Sequence, residues 1–129
     1  PSPVTYGREW TLGLVDEEHR PLLAGLLDLL EEVLPGRGWT IRWHSHGVDA
    51  AYRECGYLHL HLGRRWFDVR VGTKPVRDAE GNRRCMHPWA PGHKARFTDD
   101  ADLVGEAAEH LQSLLQQAEE VVNGASEGR

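Results

Sequence analysis

Apolar and polar residues alternate through the middle of the chain and recur at helical spacing towards its two ends, a pattern that predicts strands flanked by helices. In "GWTIRWHSH" (38–46), Trp39, Ile41 and Trp43 fall on one side and Arg42, His44 and His46 on the other. "YLHLHL" (57–62) repeats the logic, with Leu58, Leu60 and Leu62 opposed to His59 and His61. "WFDVRV" (66–71) sets Phe67, Val69 and Val71 against Trp66, Asp68 and Arg70. "KARFT" (94–98) predicts a last strand with Ala95 and Phe97 inward, and "REWTLGLV" (8–15), alternating Trp10, Leu12 and Leu14, a short first one.

Two segments follow the helical period instead. In "PLLAGLLDLLEEVL" (21–34), Pro21 suits a first turn and Leu22, Leu26, Leu29, Leu30 and Val33 share a face that Leu23, Leu27 and Leu34 widen. "PG" at 35–36 ends it, and Asp16, Glu17 and Glu18 add an acidic turn before it. The second helix covers 99–122, capped by Thr98 or Asp99, with Leu103, Ala107, Leu111, Leu114, Ala118 and Val121 near one face. Between strands and helix, 72–93 reads as a long irregular excursion. These elements predict an α+β two-layer sandwich: an antiparallel sheet of three to five strands with two helices packed on one face. Residues 1–122 form one globular domain, and 123–129, "NGASEGR", a flexible tail.

Composition agrees: 129 residues, 40% hydrophobic and 27% charged, suffice for one core. No run reaches the roughly 18 apolar residues of a membrane span, and the start "PSPVTYGREW" lacks the pattern of a secretory signal, so a cytoplasmic location is expected. There Cys55 and Cys85 are free thiols by default, a disulfide being the alternative. Net charge is −5, but 12 of the 15 Lys and Arg lie in 37–97 with only five acids, so the middle is +7 and the flanks −12. Six of the eight histidines share that basic middle, which points to a surface with an anion preference.

A two-residue turn at Gly63-Arg64 would pair Leu62 with Arg65, so that His61 faces Trp66 and His59 faces Asp68. A loop of about ten residues after His46 allows His44 opposite His59, giving a row Asp68, His59, His44, with Arg42 opposite His61. Such a row suits proton transfer, because a carboxylate sets an imidazole's tautomer while Arg42 or Arg70 holds an anion such as a phosphate ester. It equally suits zinc, with His59 and His61 joined by Cys85 and His87 of "CMHPW" as ligands. The same histidines also fit a plainly solvated sheet face. Trp66 and Trp89 are candidates for surface contact, and the arginines with Trp66 admit nucleic acid as a less favoured partner.

"RECGYLH" (53–59), Asp68 and "HPWAPGHKARFTDDADLVGEAAEHLQSLL" (87–115) resemble the small bacterial and fungal domain of unknown function labelled "luciferase domain". The label implies no bioluminescence here. The resemblance groups Arg53, Glu54, His59, Asp68 and His87, while Tyr57 stands where that pattern often has another histidine. The reading that joins these observations is a small cytoplasmic binding or accessory domain. Its His/Arg face, with Arg42, His61, Trp66, Arg70, Arg53 and Glu54, recognises an anionic small molecule or a partner protein. The alternative is a metal- or histidine-dependent enzyme using His44, His59 and Asp68.

Overall fold

The computed structural model describes residues 5–85, 92–97 and 103–126, with side chains described over 5–85, 94–97 and 108–124. Helix α1 (Arg8–Leu12) and a 3₁₀ turn (Glu17–His19) precede the long helix α2 (Arg20–Gly36). Strands β1 (Thr40–His44), β2 (Gly47–Tyr52), β3 (Gly56–Leu62) and β4 (Trp66–Thr73) follow as a meander. A two-residue ribbon of β5 (Val76–Arg77) and β6 (Arg83–Arg84) then leads to β7 (Gly92–Arg96) and helix α3 (Leu103–Ser126). The main sheet is antiparallel in the order β1-β2-β3-β4-β7. Helix α3 lies against β3, β4 and β7 and α2 against β1, and the helices touch one another, so the expected α+β sandwich is what forms.

Period-two alternation decides which face meets the helices. Val48 and Ala50 of β2, Leu58 and Leu60 of β3, and Phe67, Val69 and Val71 of β4 are all buried. Register aligns them in rows, Ala50–Leu58–Val71 and Val48–Leu60–Val69. From α2 they meet Leu23, Leu26, Leu27, Leu30 and Leu34, and from α3 Leu111, Leu114, Leu115 and Ala118. Each buried aliphatic side chain contributes about 1.5–3 kcal/mol. The centre of the α2 stripe is thus Leu23–Leu26–Leu27–Leu30–Leu34, with Leu22, Leu29 and Val33 half-buried at its margin. Where helices and sheet meet, Glu119 of α3 accepts bonds from Arg37 (2.7 and 2.9 Å) and from the indole N–H of buried Trp39 (2.7 Å).

Several expectations are corrected. Residues 8–12 form a helix rather than a strand: Thr11, not Trp10, is buried, and Arg8 is drawn to Asp28 (2.7 Å) and Glu31 (3.0 Å) of α2. The presumed ten-residue loop contains β2. A tight turn at Ser45-His46 leads into it, and Gly47 takes φ +139° with its Cα side only 3.0 Å, at the Cβ position, from the carbonyl of Leu60. The 72–93 excursion holds the end of β4, the β5–β6 ribbon and the start of β7. Helix α3 runs beyond 122 because Val122 is buried and Asn123 accepts a bond from the Tyr52 hydroxyl (3.0 Å), so 123–126 are helical rather than tail. Cys55 and Cys85 are joined in a disulfide, not free. The proposed caps Thr98 and Asp99 lie outside the described residues.

Candidate functional site on the open sheet face

The face away from the helices carries two polar rows fixed by register. One runs Arg42, Asp49, His59, Arg70; the other runs His44, Gly47, His61, Asp68, Lys94. His44, His59, His61, Asp68 and Arg70 therefore share one side, as alternation implies, but their partners differ from those expected. The β3–β4 turn is closed by the Gly63 N–H bonding the Trp66 carbonyl (3.0 Å), which centres it on Arg64-Arg65. Leu62 consequently meets Phe67, His61 meets Asp68, and His59 meets Arg70. The row Asp68–His59–His44 does not exist. Asp68 is buried and bonded by Arg70 Nε (2.9 Å).

The carboxylate that does serve the histidines is Asp49, which sequence reasoning passed over because β2 itself was unrecognised. His59 Nδ1 lies 2.7 Å from Asp49 Oδ1, and His44 Nε2 lies 3.2 Å from the same oxygen. His44 Nδ1 accepts the His46 backbone N–H (3.1 Å), so in the neutral ring the proton sits on Nε2, facing Asp49. That Nε2 is buried and makes no well-aligned hydrogen bond, so its tie to Asp49 is electrostatic. Burial pushes the Asp49 carboxyl up, but the His59 hydrogen bond, the close approach of His44 and the charge of the two rings outweigh it, and the group sits below the usual carboxylate range. With Nδ1–H of His59 committed to Asp49, Nε2 is the ring atom left for a ligand.

Asp49 and His59 line a concavity of about 470 Å³ together with Arg42, Glu54, Tyr57 and Lys74. Arg42 and Lys74 are exposed and have no carboxylate partner among the described residues, whereas Glu54 is engaged by Arg84 (3.1 Å). The backbone N–H of Lys74 bonds the Cys55 carbonyl (2.9 Å), and the disulfide pins the same turn to the β6 end, so this rim is anchored twice.

Other predicted residues lie elsewhere. Arg53, at φ +53°, places its guanidinium 5.5 Å from the Tyr52 ring centre. His61 is exposed, its ring 5.6 Å from that of His59. Trp66 lies at the other end of the face under Lys94 Nζ (4.6 Å). The metal set His59, His61, Cys85 and His87 is not assembled: the sulfur of Cys85 is bonded to Cys55, and His87, like Trp89, lies outside the described residues. No family model matches this chain, and neither a curated protein nor a solved structure does.

Proposed function

We propose that the protein binds a small anionic ligand, one bearing a phosphate or carboxylate, in the concavity between Arg42, His59 and Lys74. One observation carries this reading: the two cations on its wall have no carboxylate partner among the described residues, while both acids there are already engaged, Asp49 by two imidazoles and Glu54 by Arg84. An anion entering this space meets uncompensated positive charge and an imidazole edge. The +7 middle of the chain supports the same preference. Inorganic phosphate is a sufficient probe. Titration followed by amide NMR is expected to move residues 42, 59 and 74, and Arg42→Glu with Lys74→Glu to weaken binding more than about 10-fold, since each charged hydrogen bond contributes about 1.5–3 kcal/mol. Absence of shifts, or an undiminished double variant, rejects the reading.

The 2.7 Å contact between Asp49 and His59 favours a second reading, proton transfer by His59 to or from the bound anion, for example in phosphoester hydrolysis. His59→Gln separates the two: a binding domain loses part of its affinity, whereas an enzyme loses turnover of a generic phosphomonoester while still binding phosphate. A cytoplasmic setting would keep the Cys55–Cys85 bond under reducing pressure, and an oxidising one would preserve it. No helix among the described residues is long and apolar enough to cross a membrane.

A further inference from the structure

We infer a second site, for a divalent transition metal such as zinc, formed by Asp16, Glu18 and His19 beneath the tip of the β3–β4 hairpin. One ligand atom from each residue lies within 4.8 Å of the other two, and theirs is the one such group of His, Cys, Asp and Glu among the described residues. His19 Nε2 and Glu18 Oε1 are 3.4 Å apart. Tetrahedral zinc with nitrogen and oxygen ligands at about 2.0–2.2 Å requires neighbouring ligand atoms to be separated by about 3.4 Å, so this pair already spans one edge of the polyhedron.

The imidazole supplies an independent pointer. His19 is only 3% exposed, its Nε2 faces a Glu18 oxygen, and a carboxylate oxygen of Asp16 lies within 4.8 Å of the ring atom it offers. Its ring stacks on Phe97 (5.9 Å between centres) and forms part of the wall of a concavity of about 440 Å³ shared with Glu18, Arg65, Trp66 and Arg96. Three segments hold this geometry. The His19 N–H bonds the Asp16 carbonyl (2.9 Å), the Asp16 N–H bonds the Arg64 carbonyl (3.1 Å), and the Phe97 N–H bonds the Arg65 carbonyl (3.0 Å).

Two carboxylates and a neutral imidazole balance a divalent charge, and the donor set suits zinc and its first-row neighbours rather than calcium. Arg65 approaches Asp16 at 3.5 Å but is 78% exposed, so it can turn to solvent when a cation enters. With Arg96 it can then hold an oxyanion at the metal's open side. The site shares no residue with the Arg42–His59–Lys74 concavity, and its fate does not depend on that reading.

The test uses the full chain without a histidine tag, stripped with chelator and titrated with zinc by calorimetry and with cobalt by visible absorption. One equivalent should bind, and cobalt should develop the intense bands of tetrahedral coordination. Asp16→Asn and Glu18→Gln should each weaken zinc binding more than about 10-fold, since even outer partners of a metal ligand contribute 10–100-fold. Replacing buried His19 can unfold the turn, so the two carboxylate variants decide, with circular dichroism confirming that they fold. The proposal is overturned if the wild type takes up no zinc, if the two variants bind as tightly as the wild type, or if His59→Gln abolishes uptake in their place.

Discussion

Replacing Asp49 by asparagine preserves shape and an acceptor oxygen while removing the negative charge between His44 and His59. In the wild type those imidazoles hold the carboxyl below its ordinary range, against the upward push of burial. A carboxyl whose native pKa lies below its unfolded value of about 3.9 contributes stability that is complete above that value and is lost as pH falls through the lower native one. A shielded charged hydrogen bond contributes about 1.5–3 kcal/mol, and an exposed ion pair about 0.2–1 kcal/mol. The side chains of Asp49 and His59 are 34% and 40% exposed, so solvent screening takes the expected loss down to about 1 kcal/mol. Urea denaturation of wild type and Asp49→Asn should show that gap at about pH 5 and its closing below about pH 4. Nitrogen-detected NMR of the imidazoles should find the proton of neutral His59 on Nδ1 in the wild type. Equal urea midpoints at every pH, or a gap that does not close below about pH 4, would refute the assignment of Asp49 as the partner of both rings.

Glu119→Ala leaves the buried indole N–H of Trp39 and the guanidinium of Arg37 without their acceptor and should cost about 2–4 kcal/mol. Glu119→Gln, which keeps an oxygen for Trp39, should cost less, and thermal melts of the two compare them directly. Gly47→Ala forces a side chain to φ +139° and its Cβ to 3.0 Å from the Leu60 carbonyl, so a loss of about 1–3 kcal/mol is expected in urea unfolding. Reducing Cys55–Cys85 opens a closure over a sequence separation of 30 residues and should lower stability by about 3–4 kcal/mol. The same treatment should loosen the Lys74 rim, so phosphate affinity and the denaturation midpoint should fall together, and a reduced protein as stable as the oxidised one would contradict this.

Much of the fold was legible because the apolar side of each strand is declared by period two. Leu58, Leu60, Phe67 and Val69 are buried where alternation puts them, and the leucines of α2 face the sheet. Partners across strands were not legible in the same way. Facing depends on parity, which a shift of two residues leaves intact, whereas pairing depends on turn geometry. The Gly63–Trp66 hydrogen bond moved the β3–β4 register by such a step, so His59 kept its face and exchanged Asp68 for Arg70.

Asp49 was hidden for a different reason. Strand β2, "GVDAAY", is made largely of glycine, alanine and aspartate, residues depleted in strands, and only Val48 and Tyr52 carry a strand preference. Its place in the sheet comes from its neighbours: Val48 and Ala50 fill the core rows between Trp43, Ile41 and the leucines of β3. Small inward residues suffice there because α2 and α3 supply the bulk. Inserting that strand places an acid between two histidines that were expected to face each other directly. It also leaves Asp68 to Arg70, so the two acids of the central rows are consumed by cationic or imidazole neighbours and Arg42 is left over. Arg42 is thereby left beside Lys74 on the wall of the concavity they share with His59, rather than serving the Asp68–His59–His44 row to which the histidine-rich motif pointed.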